Sequence, residues 1–81
     1  MNIDYSQIIQ EVLSEILGRS ISGDERSISL RDLGVDSLGM VELVLGLQKR
    51  LEFQISDEDV TVKNFGTVEK LDDYLRQRLG A

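Results

Sequence analysis

The stretch Asp4-Tyr5-Ser6-Gln7-Ile8-Ile9-Gln10-Glu11-Val12-Leu13-Ser14-Glu15-Ile16-Leu17-Gly18 decides the fold class. Tyr5, Ile8, Ile9, Val12, Leu13, Ile16 and Leu17 recur at i, i+3, i+4 spacing, which places them on one face of a helix. Gln7, Gln10, Glu11, Ser14 and Glu15 take the other face. Asp4 suits an N-cap and Gly18 a left-handed stop, so the spacing predicts a helix over residues 4–17.

Downstream, residues 18–36 read as a long connection. Ile28 and Leu30 alternate with polar neighbours, a strand-like pattern, but the sequence offers no second strand to pair with it. Ile21, Ile28, Leu30 and Leu33 are therefore expected to pin the loop onto a helical core, with a short helical turn at Ser29–Leu33. Loops this long inside a small domain are often functional. A second helix is expected from Asp36-Ser37 to Leu51. Its apolar residues (Leu38, Met40, Val41, Leu43, Val44, Leu45, Leu47, Leu51) form a stripe wider than a small core requires, so part of it must face solvent or a cavity. Gly39 and Gly46 lie inside it, each disfavoured by about 1 kcal/mol relative to Ala, and propensity explains neither.

Phe53-Gln54-Ile55 reads as extended. Ser56 then caps a short third helix whose first turn, Asp57-Glu58-Asp59, suits the positive end of a helix dipole. Thr67 caps a fourth, with Val68, Leu71, Tyr74, Leu75 and Leu79 inward and Gly80 at its end. The expected architecture is all-α: a four-helix bundle of three main helices and one short helix, with a long loop between helices one and two, residues 1–81 making a single domain.

Composition narrows the function. A net charge of −6 over 81 residues argues against nucleic acid, whose affinity depends on cations neutralising phosphates, and suits basic protein partners. The chain has no histidine and no cysteine, so it can assemble no Ser-His-Asp triad, no Cys-His pair and no thiolate or imidazole metal site. A carboxylate pair could still perform acid–base work, but so small a domain has little room for the dry cavity such a pair needs. The Asp57-Glu58-Asp59 cluster lacks the glycine and distal glutamate of a calcium loop. No apolar run approaches a membrane span of roughly 20 residues, and Met1–Tyr5 shows no secretory pattern. The expectation is a cytoplasmic, monomeric protein with no catalysis of its own and no membrane or nucleic-acid partner.

Leu33-Gly34-Val35-Asp36-Ser37-Leu38 carries the positive signal. Asp-Ser before a helix is by itself an ordinary cap. The ordered set that follows it is more specific: Val41-Glu42-Leu43-Val44, then Phe53-x-Ile55, Asp57-Glu58 and Phe65-x-Thr67-Val68-x-x-Leu71. Over nearly its whole length the chain resembles the acyl carrier protein family, in its discrete, phosphopantetheine-binding form. The resemblance implies that Ser37 receives 4′-phosphopantetheine from coenzyme A and carries acyl or aminoacyl groups as thioesters on that arm. This would supply a thiol to a chain that has none. A serine at a helix N-terminus also offers an exposed hydroxyl beside unpaired N–H groups. Asp36 has two available roles, as the helix cap and in binding the transferase's metal-bound coenzyme; with Leu38 it completes the cofactor-binding set.

The resemblance implies a docking surface on the second helix, with Leu38, Glu42 and Leu45 outward and Asp57 and Glu58 extending its acidic character. Leu45 reads equally well as core. The implied partners are a phosphopantetheinyl transferase, an acyl- or aminoacyl-loading enzyme, and an acyltransferase or ketosynthase. Three positions depart from the pattern of fatty-acid-synthesis members: Gly39 in place of a polar or acidic residue, Gln48-Lys49-Arg50 in place of an acidic run, and Ser56 where proline is common. They point to a polyketide or other specialised pathway, with housekeeping fatty acid synthesis as the alternative within the class. An aspartate at position 36 weighs against a peptidyl carrier. The alternative from another class is a helical adaptor without a prosthetic group, which would keep the same core but need no exposed Ser37.

Overall fold

The computed structural model describes residues 3–80; Met1 and Asn2, on which the leader reading partly rests, and Ala81, the end of the expected domain, lie outside them. Five α-helices follow in order: α1 (Tyr5–Leu17), α2 (Leu30–Leu33), α3 (Ser37–Leu51), α4 (Val62–Phe65) and α5 (Val68–Leu79), with 3-10 turns at Gly23–Glu25 and Asp57–Asp59. Among the described residues there is no strand, and no helix is long and apolar enough to cross a membrane.

Caps set the helix limits. The Asp4 carboxylate accepts the Gln7 N–H at 3.0 Å, and Gly18 closes α1 at φ +69° with its N–H on Ser14 O. Thr67 Oγ1 accepts the Lys70 N–H at 3.1 Å to start α5. The short third helix, expected to run one or two turns, is split into a 3-10 turn at Asp57–Asp59 and a separate α4, because two residues cap in succession. Ser56 accepts the Glu58 N–H on Oγ and the Asp59 N–H on its carbonyl and nucleates a 3-10 turn, while Thr61 accepts the Asn64 N–H and starts α4.

The core lies where α1 meets α3 and α5. Ile9, Leu13, Leu43, Leu47, Leu71 and Leu75 are fully enclosed there, each burial worth about 1.5–3 kcal/mol. The wide apolar stripe of α3 divides as its width required: Leu43 and Leu47 point into the core, Met40, Val44 and Leu51 are half-buried, and Leu38, Val41 and Leu45 are exposed. Gly46 now has a reason. A β-carbon there would stand 2.9 Å from Val12 Cγ1, so glycine is what lets α1 and α3 approach.

The long connection is fastened by backbone as well as side chains. Leu30 donates its N–H to Gly66 O at 2.9 Å, and Glu69 donates to Arg26 O at 3.1 Å. Ser29 and Thr67 thereby form one isolated antiparallel bridge, the single rung to which the Ile28/Leu30 alternation amounts. Ile21, Leu30 and Leu33 are buried as expected; Ile28 is not, because it lies just before the bridge on the outer side, and Leu79 is likewise exposed in the last turn of α5. Beneath the connection sits the buried Asp72, which accepts from Ser6 Oγ at 3.0 Å, Arg26 Nη2 at 3.3 Å and Arg76 Nε at 3.1 Å. One carboxylate thus joins α1, the loop and α5.

Candidate prosthetic-group attachment site

Gly34 prepares the site. It ends α2 at φ +114°, a conformation that L-residues rarely adopt, with its N–H on Arg31 O and Leu30 O. The reversed chain buries Val35 and delivers Asp36 as the N-cap of α3, where the carboxylate accepts the Gly39 N–H at 2.7 Å. Ser37 follows as the first residue of α3 and is exposed. It thus begins a 15-residue helix, at the end where first-turn amides and the helix dipole are positive.

Ser37 and Asp36 share the rim of an open groove of about 780 Å³. Leu30, Val35, Met40, Val60, Val62 and Phe65 make its apolar walls, so α2, α3 and α4 each contribute. The wall on the α4 side is held by a polar cluster behind it. Tyr74 donates its hydroxyl to Asp59 Oδ2 at 2.8 Å, and Arg78 donates to the same oxygen at 3.2 Å and to Gln54 O at 3.1 Å. Burial pushes the Tyr74 hydroxyl above its ordinary pKa, and the bond to Asp59 adds to the effect. The Arg78 guanidinium also lies over the Phe53 ring at 5.6 Å.

A second surface begins next to Ser37. Leu38, Val41, Glu42 and Leu45 stand at i, i+3, i+4 and i+7 on one face of α3, all exposed; Leu38 is 66% accessible, Val41 54% and Leu45 57%. Leu45 is therefore a surface residue. Val62 at the start of α4 is 78% accessible and adds to the exposed apolar area. Asp57 and Glu58 are exposed on their 3-10 turn but do not line the groove, and Asp59 is drawn inward by Tyr74 and Arg78. Neither Val41 nor Val62 is among the docking residues that the resemblance implies. Val41 could have been, since it completes the helical spacing from Leu38 to Leu45. Val62 could not, because its exposure depends on where Thr61 starts α4.

Two of the sequence departures serve the fold. Gln48 Oε1 accepts the Ile55 N–H at 2.8 Å, and Arg50 pairs with Glu11 at 2.9 Å and with Glu15, so the less acidic end of α3 is spent on the following loop and on α1. At position 39 a β-carbon would come within 3.2 Å of Asp36 Oδ1 and 3.3 Å of Val35 Cγ1, so glycine fits the tight capping turn. Neither departure needs an unusual partner to explain it.

Taken together, the helical bundle sets an exposed serine at a helix start beside an apolar groove, the arrangement that a carrier of a covalently attached group needs. The "Phosphopantetheine attachment site" family matches residues 7–75. The acyl carrier protein of Clostridium perfringens is 37% identical over 70 residues, covering 80% of this chain and 90% of its own. That of Phytoplasma australiense is 35% identical over 77 residues, covering 89% and 99%. Two solved structures of Bradyrhizobium japonicum glycine:(carrier protein) ligase contain similar chains. The complex with cognate carrier protein and an analogue of glycyl adenylate matches at TM-score 0.80 and 27% identity, over 90% of this chain and 96% of that one. The complex with glycylated carrier protein matches at 0.74 and 30%, over 85% and 95%. The chain belongs to the phosphopantetheine-binding acyl carrier protein family.

It follows that the protein carries acyl groups on a covalently attached 4′-phosphopantetheine and has no catalysis of its own. The adaptor reading, which dispenses with the group, is set aside. The residues present fit the group: an exposed hydroxyl, a helix start that favours a phosphate, and an apolar groove leading away from it.

Proposed function

We propose that Ser37 is the attachment residue and that the 81 residues work as one carrier domain, loaded by an acyl- or aminoacyl-activating enzyme in a specialised pathway. The observation that carries the first part is the place of Ser37, exposed at the start of α3 and on the rim of the groove. The arm supplies a thiol for thioester formation. Asp36 holds the first turn of α3 so that the serine stays presented, and Gly34 and Gly39 keep side chains out of the turn around it. Partners dock on the outer face of α3, with Leu38 and Leu45 giving apolar contact and Glu42 meeting a cation, while Asp57 and Glu58 offer a second acidic contact farther off.

Support for the specialised pathway is the likeness to carriers solved with a glycine-loading ligase, at TM-scores of 0.80 and 0.74. The identity of 35–37% to bacterial acyl carrier proteins favours the fatty acid reading as the second possibility. The test is to isolate the chain from cells, release the thioester-bound cargo and weigh it. A single aminoacyl or short specialised unit is expected. A ladder of fatty acyl chains growing by two carbons would overturn the pathway assignment and leave the carrier class standing.

A further inference from the structure

Six arginines divide into two groups. Among the described residues Arg19, Arg26, Arg50, Arg76 and Arg78 are each in an ion pair within the fold, and Arg31 is in none. Arg31 is exposed on α2 and lines the same groove as Ser37. The only other charged residue lining that groove is Asp36, whose carboxylate is already engaged by the Gly39 N–H. A phosphodiester on Ser37 would add negative charge next to that carboxylate, in a chain whose net charge is already −6. Like charges in so small a space repel unless a cation offsets them. A guanidinium is well suited, because its fork of N–H donors matches two phosphate oxygens.

From this we infer that Arg31 is a positioning residue for the arm: its guanidinium pairs with the phosphodiester and directs the arm along the groove toward Val60 and Phe65. The inference rests on Ser37 being the attachment residue. The arm's phosphodiester is the chosen partner rather than a carboxylate on the cargo, because it is present in every loaded state and is fixed next to Asp36.

The experiment uses the ¹⁵N-labelled full chain before and after modification with coenzyme A and a phosphopantetheinyl transferase. The Arg31 Nε–Hε signal and the ³¹P signal of the phosphodiester are recorded, with intact mass measured in parallel. Attachment should shift the Arg31 signal, and the ³¹P signal should move in Arg31→Gln but not in Lys63→Gln, an exposed cation outside the groove lining. Loading a neutral acyl group should leave the Arg31 signal where the arm placed it. A mass gain at Ser37 with no change in either signal overturns the inference and leaves the attachment reading intact. An Arg31 shift seen only with a carboxylate-bearing cargo also overturns it. No mass gain overturns both.

Discussion

The carboxylate of Asp36 accepts the backbone N–H of Gly39 at 2.7 Å, spanning Ser37 and Leu38 between them. The residue beside the proposed attachment serine is thus a structural cap first. Asp36→Ala is expected to lower stability by about 1 kcal/mol, read as a lower urea midpoint with unchanged slope. Asp36→Asn, which keeps an accepting oxygen, should recover most of the loss. If Asp36→Asn folds as well as the parent yet is modified slowly, the carboxylate also serves the transferase.

The contact between Gly46 and Val12 inverts the usual rule for helices. Glycine to alanine in a helix interior normally stabilises by about 1 kcal/mol. Here the new methyl group would meet Val12 Cγ1 at 2.9 Å, inside a packed α1–α3 interface. Gly46→Ala should therefore destabilise by about 1–2 kcal/mol. In a Val12→Ala background the same substitution should become neutral or stabilising. Thermal melts of the parent and the three variants give the coupling directly.

The outer and inner faces of α3 should separate stability from recognition. Leu43→Ala removes a fully enclosed side chain and is expected to cost about 2–5 kcal/mol. Leu38→Ala and Leu45→Ala should leave the melting temperature nearly unchanged but weaken binding to the loading enzyme. Glu42→Lys should weaken it further, by reversing the one exposed acidic charge on that face. Equal affinity of all three variants in a titration would remove α3 from the docking surface.

Alkali should unfold the protein partly through Tyr74. Its folded pKa is raised by burial and by the hydrogen bond to Asp59, from an ordinary value of 10.0. The unfolded chain therefore loses that proton first. The stability Tyr74 contributes is complete below about pH 10 and is lost as pH rises through the folded value. Tyr74→Phe should lower stability at neutral pH by about 1 kcal/mol, yet show a shallower decline above pH 10. A decline as steep as the parent's would place the titrating group elsewhere.

Much of this was legible in the sequence because helical spacing and caps act locally. Asp4, Gly18, Thr67 and the α3 stripe each declared their role within a few residues. What stayed hidden depends on distant pairs. Gly46 makes sense only opposite Val12, Arg50 only across from Glu11 and Glu15, and the Asp72 cluster joins residues from three separate segments. The division of the third helix came from successive caps at Ser56 and Thr61 that propensity does not rank. At the site, Ser37 and Asp36 could be picked out from their motif. The groove could not, since its walls are assembled from residues 29–66 by folding.

The central claim concerns the Ser37 hydroxyl, and intact mass tests it most directly. After incubation with coenzyme A and a phosphopantetheinyl transferase, the parent chain should gain the mass of one phosphopantetheinyl group, and Ser37→Ala, folded to the same extent by circular dichroism, should gain nothing. A parent chain of unchanged mass, or a Ser37→Ala chain that still takes up the group, would contradict it.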